Sequence, residues 1–230
     1  SIVVALIGGI AAALLGQLVA APLLGALNVP EDVLPLALLY LRIYLAGLPV
    51  ILLYNFEAAI FRSIGETKTP LVVLTASGIL NVILNLLFVI VLQMAVAGVA
   101  VATVISNAVS SVLLYWRLRT TKQVIHVDPA LLRVDGEILK RILRIGLPAG
   151  IQSAVFSVSN IIIQSAVNSL GTVVMAATSA SFNIEVITYN ILSSFSQACT
   201  TFVGQNFGAG QIRRCKRTLL LCIAEGVVIL

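Results

Sequence analysis

Two stretches without any formal charge constrain what this chain can become: residues 71–116, 46 positions, and residues 145–184, 40 positions. A helix that crosses the hydrocarbon core of a bilayer needs roughly 20 predominantly apolar residues, so each stretch is long enough to cross twice. The core of a soluble domain rarely calls for such lengths. Composition points the same way. Hydrophobic residues make up 60% of the 230-residue chain and charged residues 10%, against about 25% charged in soluble domains. The mean hydropathy is +1.10, and too few charged side chains are present to cover a water-facing surface. The expected fold class is all-α: a polytopic membrane bundle without a sheet, because helices satisfy their own backbone in lipid.

Polar and helix-breaking residues divide the chain into seven expected helices. The first covers about 2–26 and ends at Asn28-Val29-Pro30-Glu31-Asp32. The second covers about 33–61, and the polar loop 62–70 leads into a third at about 70–91. A tight return at Gln93–Gly98 precedes a fourth at about 96–116, closed by Tyr115, Trp116 and Arg117, residue types typical of the headgroup level. Residues 117–144 form the longest polar stretch. Within it, 136–145 reads as an amphipathic lead-in, with Asp135 suited to a helix start. The fifth helix is expected at about 145–168, the sixth at about 173–203, and a seventh from about Thr218 onward, after the glycine-rich junction 204–210. The chain starts at Ser1 and stops at Leu230 inside apolar helices, so both ends read as cut, and the first helix reads as a span rather than a signal peptide.

Charge alternates from loop to loop. Arg62 and Lys68 follow the second helix. Arg117, Arg119, Lys122, Arg133, Lys140, Arg141 and Arg144 follow the fourth, and Arg213, Arg214, Lys216 and Arg217 follow the sixth. The loops after helices one, three and five carry no basic residue. Thirteen of the 14 basic residues therefore lie on one side, with Arg42 the exception inside helix two. The positive-inside rule places that side, including the linker 117–144, in the cytoplasm. The net charge of +5 is a matter of topology here, and no nucleic-acid partner is expected.

Several polar side chains exceed what a plain span needs. Acidic residues at membrane depth are costly and usually face a cavity or the bundle interior. Glu185 lies about a dozen residues into the sixth helix, with Thr188 and Tyr189 three and four positions on, sharing its face, and Asn190 offset toward a neighbour. Two readings stand for it: a carboxylate binding a proton, a sodium ion or a cationic substrate, or a polar clamp between helices. For Glu57, five residues before Arg62, the clamp or interfacial reading leads, and Glu225 is left open. Arg42 is long enough to snorkel to the headgroups. Asn81 and Asn85 form an i,i+4 amide pair with Asn107 on the next helix, and Asn160 and Gln164 form a second pair; such amides bond across helices or line a cavity. Pro49 and Pro148, each in a Gly-Leu-Pro tripeptide, are candidate hinges.

Other chemistries lack their residues. Cys199, Cys215 and Cys222 form no CxxC pattern, and His126 is the chain's single histidine, so no metal site and no cofactor are expected. The glycine junctions lack a P-loop lysine-serine pattern, and HExxH, GxSxG and paired intramembrane aspartates are missing, so an enzyme is not expected.

The segment Gly204-Gln205-Asn206-Phe207-Gly208-Ala209-Gly210, followed by basic residues, resembles the signature after the eighth helix of the multidrug and toxic compound extrusion (MATE) family. Tyr40-Leu41-Arg42-Ile43 and the run Arg62–Pro70 resemble that family's fourth helix and the loop behind it. Asn81-Val82-Ile83-Leu84-Asn85 resembles its fifth-helix polar pair, Gly98–Thr103 the start of its sixth helix, and Gly146–Gln152 the opening of its seventh. The resemblance covers nearly the whole chain. It implies that the seven helices are the family's third to ninth, out of twelve in two six-helix lobes. Residues 1–116 would close the N-lobe, 117–144 would link the lobes in the cytoplasm, and 145–230 would open the C-lobe.

The resemblance further implies secondary active export of cationic or amphipathic small molecules across the cytoplasmic membrane, driven by sodium- or proton-coupled antiport. Some branches keep an acidic residue in the middle of the seventh helix. Residues 147–170 contain none, which leaves Glu185 as the best carboxylate in that part of the chain. A lipid-linked oligosaccharide flippase of the same superfamily is the alternative; it would need a strongly cationic cleft. A channel or scaffold would lack state-dependent accessibility. The expected partners are the substrate and the lipid bilayer, and the expected assembly is a monomer.

Overall fold

The computed structural model describes residues 2–26, 33–168 and 170–229. The expected turn at 28–32 lies outside them. Among the described residues there is no strand, and eight α-helices account for most of the chain. They fall into two compact units, 1–134 and 135–230.

The first unit holds α1 (Ile2–Ala26), α2 (Leu34–Ala46), α3 (Leu48–Ser63), α4 (Lys68–Leu86) and α5 (Ala95–Thr120). The second expected helix is two. A break at Gly47 bends α2 against α3 by 46°. Pro49 lacks an N–H and sits in the first turn of α3, a position where a proline starts a helix cleanly but cannot continue one. The third expected helix is α4 extended by a single π-helical segment, Leu87–Val91. The chain then reverses through Gln93 and Ala95, both with positive φ (51° and 46°), as the tight return at Gln93–Gly98 anticipated. Between α3 and α4 the turn uses Gly65 at φ 81°, and Glu66 Oε1 accepts the free Thr69 N–H of the α4 first turn at 3.0 Å.

Helix α5 is the spine of this unit, packing against α2, α3 and α4, while α1 lies on α2 and α3. Its buried face follows an every-fourth-residue stripe, Gly98, Ala102, Ser106, Ser110, Leu114 and Leu118, flanked by the buried Ala100 and Ser111. Small residues let membrane helices approach closely and replace the hydrophobic drive that lipid removes. The two leucines at the stripe's end join Ile2, Ala58, Phe61 and Val73 in an apolar cluster. Residues 117–120, expected in the linker, continue α5. The linker folds back by a Val127 N–H to Leu118 carbonyl bond, seating Ile125 and Val127 against the same cluster.

The second unit holds α6 (Gly136–Asn168), α7 (Thr172–Gly208) and α8 (Ile212–Ile229), with α7 packed against both of the others. The amphipathic lead-in is continuous with the fifth expected helix. Asp135 Oδ1 caps it, accepting the N–H groups of Glu137 and Ile138 at 2.9 and 3.1 Å. Helix α6 runs unbroken through Pro148. The junction 204–210 is largely helical, because the backbone bonds continue through Gly204 and Gly208. Gly210, at φ 72°, turns the chain while Gln211 N–H bonds back to the Asn206 carbonyl.

Among the described residues, four helices are long and apolar enough to cross a membrane, at Ile2–Gly25, Lys68–Val91, Ala95–Thr120 and Gly136–Gln164, and the bent α2–α3 pair adds a fifth if it is one span. Helices α7 and α8, the last two of the seven expected spans, fall short of that test. Hydroxyls and amides are spread along α7, and α8 opens with Arg213, Arg214, Lys216 and Arg217. The apolar side chains left on the outside, such as Leu18 at 76% and Leu71 at 61% exposure, suit a lipid solvent rather than water.

Candidate functional site

Buried and half-buried polar side chains of the first unit gather where α3 and α4 meet α5. Asn85 Nδ2 donates to Asn81 Oδ1 at 2.9 Å, and Asn81 Nδ2 donates across the helix pair to Ser106 Oγ at 3.0 Å. Ser106 Oγ in turn donates to the Ala102 carbonyl at 2.7 Å. The Asn81–Asn85 pair thus forms one relay between α4 and α5. Asn107, expected as its partner, instead donates to the Thr103 carbonyl of its own helix at 2.8 Å. Asn85 Oδ1 is enclosed without a hydrogen-bond partner among the described residues. Amide carbonyls left open in this way are natural ligands for a cation or a substrate donor group.

One turn further along α5, Ser111 Oγ donates to Glu57 Oε2 of α3 at 2.9 Å. Glu57 is 0% exposed. The contact is a clamp between helices, yet it uses only half of the carboxyl: Oε1 is buried with no partner among the described residues. The serines that make both contacts, Ser106 and Ser111, were not singled out by sequence reasoning. Hydroxyls on or beside the small-residue stripe of α5 were the available signal.

The second unit presents its polar residues differently. Glu185, Tyr189 and Asn190 are exposed on α7, and Thr188 is half-buried with its hydroxyl donating to the Ile184 carbonyl at 3.2 Å. Glu185 and Thr188 share a face, but the hydroxyl is directed to the backbone rather than to the carboxyl. Asn160 and Gln164 are exposed on α6. Helices α7 and α8 enclose an open cleft of about 960 Å³ that begins at Leu192, beyond the Glu185 group, and gathers Cys199, Cys215 and Cys222. Cys215 Sγ sits 3.6 Å from the Val203 carbonyl, and the three thiols are free. No group of three or more His, Cys, Asp or Glu residues that could hold a metal ion occurs among the described residues.

Sequence and fold comparisons agree on one group of proteins. The MatE family profile matches residues 1–87 and 148–230. A probable multidrug resistance protein of Bacillus subtilis (strain 168), YpnP, is 32% identical over 192 residues, 84% of this chain and 43% of the relative. A second from the same organism, YoeA, is 30% identical over 220 residues, 92% of this chain and 47% of the relative. The fold superposes on a crystal structure of MATE in the straight conformation with a TM-score of 0.89 at 23% identity, covering 99% of this chain and 51% of that one. The chain spans about half the length of the curated relatives it matches.

Proposed function

The chain belongs to the MatE family, and on that premise we propose that it forms part of a secondary active transporter that exports cationic or amphipathic small molecules across the cytoplasmic membrane by sodium- or proton-coupled antiport. The whole transporter in this reading is a twelve-helix monomer of two lobes, with residues 117–144 as its cytoplasmic link. The multidrug names of its relatives support the substrate class. The observation that carries the reading is the half-buried polar relay Asn85–Asn81–Ser106 between α4 and α5, with the Asn85 Oδ1 enclosed and without a partner among the described residues. A transported cation needs such groups in place of its water.

In this reading Glu185 supplies the second unit's coupling carboxylate, with Thr188, Tyr189 and Asn190 beside it, and Asn160 and Gln164 border the substrate path. Pro49 and Pro148 are the points about which helices tilt. The oligosaccharide-flippase alternative asks for a strongly cationic cleft, and Arg42 is exposed on α2 with no other basic residue on that helix. Alternating access is tested by replacing Cys199, Cys215 and Cys222 with serine and placing single cysteines at Asn160 and Asn190. Thiol labelling from each side of the membrane should switch sides when substrate or ion is added. Labelling that stays one-sided under every condition counts against a transporter cycle.

A further inference from the structure

We infer that Glu57 is a proton-binding site: sealed between α3 and α5, its carboxyl is neutral in this conformation and releases its proton only when the two helices part. The link to export rests on the antiporter reading; the protonation itself does not.

The enclosure follows from the sequence around it. On α3, Glu57, Ala58 and Phe61 are buried together at 0%, 1% and 3% exposure. They face the part of α5 where Leu114 and Leu118, both 0% exposed, complete the apolar cluster. Into this setting the chain places a carboxyl whose polar contact among the described residues is the single bond from Ser111 Oγ to Oε2. Ser110, next to it, donates to the Ser106 carbonyl and offers Glu57 nothing.

The charged and titratable groups around it supply no compensation. Helix α1 has none. Helix α2 carries Tyr40, Arg42 and Tyr44, and α4 carries Lys68 at its first residue. Helix α3 itself carries Tyr54 and Arg62, the turn behind it Glu66, α5 carries Tyr115, Arg117 and Arg119, and the linker carries Lys122, His126, Asp128 and Arg133. None of these hydrogen-bonds to either oxygen of Glu57. His126 Nδ1 is instead 3.1 Å from the Thr121 carbonyl. A carboxylate with one hydroxyl donor and no cation is far costlier in such a place than a neutral carboxyl. A metal ion would demand several oxygen ligands, and among the described residues the side chains that meet here are the carboxyl and one serine hydroxyl. A proton needs one oxygen.

The carboxyl O–H bond breaks, its electron pair stays on the oxygen, and the proton passes to water. The carboxylate then requires hydration that the closed α3–α5 contact does not offer, so proton release and helix separation go together, and proton binding restores the seal. The fold supplies a joint for that motion. Ten residues before Glu57, the α2–α3 break lies against α5 so closely that any side chain on Gly47 would collide with Val104. Helices α3 and α5 are thus held at two places, and only the Glu57–Ser111 end is held by a titratable group.

Infrared difference spectra of the whole protein in lipid, recorded across pH with and without deuterium exchange, test this. Wild type should show the carbonyl band of a protonated carboxylic acid at neutral pH that is lost in Glu57→Gln and shifted in Ser111→Ala. A neutral-pH carbonyl region identical in wild type and Glu57→Gln overturns the inference, leaving Glu57 an ionised clamp. In the same vesicles, Glu57→Gln should lower by one the protons moved per substrate. An unchanged proton count with the band present would overturn the coupling role alone. Absence of any substrate transport by wild type would instead overturn the antiporter reading, while the band still decides protonation.

Discussion

Glu57 and Glu185 differ in environment more than their shared residue type suggests. One is sealed beside Ser111, while the other stands exposed on α7 with its neighbour Thr188 bonded to the backbone. For Glu185 the expected outcome of substitution is functional. Glu185→Gln should insert at wild-type levels and lose efflux driven by an imposed ion gradient; wild-type efflux in proteoliposomes would leave Glu185 as a packing residue. For Asn81 the expected outcome is structural as well. Asn81→Ala removes the donor to Ser106 and the acceptor of Asn85, and interhelical bonds of this kind are worth roughly 0.6 to 1.7 kcal/mol in membranes. A double-mutant cycle with Ser106→Ala, read by thermal unfolding in detergent, should show a coupling of that size; additivity would show that the two side chains do not interact. The Asn81–Asn85 pair was legible in the sequence from its spacing. Its partner was not, because Ser106 and Asn107 are adjacent on α5 and helix rotation alone decides which one meets α4.

At the scale of elements, helix positions followed from charge-free runs and breakers, and α1 and α5 lie close to where those signals put them. Their detailed ends did not follow. Helix α7 runs past Gly204 to Gly208 because glycine in a helix costs only about 1 kcal/mol, which continued backbone bonding offsets. The break at Gly47 was visible only as a proline; its 46° bend depends on what packs around it. Helix α1 is part of that packing. A side chain at Gly9 would meet the Pro49 Cα at 2.5 Å, and one at Gly16 would meet Leu45 Cδ2 at 2.6 Å, on the two sides of the break. At Gly9 the obstacle is backbone, which cannot swing aside, whereas at Gly16 it is the tip of a leucine. Gly9→Ala should therefore destabilise by about 1–3 kcal/mol, in the range of overpacked cores, and Gly16→Ala by less. Thermal melts of the two variants check the order, and equal melting temperatures would refute it.

On the scale of the molecule, two helical units, the MatE profile and relatives about twice as long place the chain in the MatE family. In the proposed topology, thirteen of 14 basic residues fall on one side, and the positive-inside rule would put that side, with the linker, in the cytoplasm. The central claim is that an ion gradient, and nothing else, drives substrate outward. The direct measurement uses the whole protein in proteoliposomes loaded with a fluorescent organic cation, under an imposed sodium or proton gradient. Efflux should begin when the gradient is imposed, stop when an ionophore collapses it, and reverse when the gradient is reversed. Efflux that continues at the same rate after the gradient has collapsed would contradict the account.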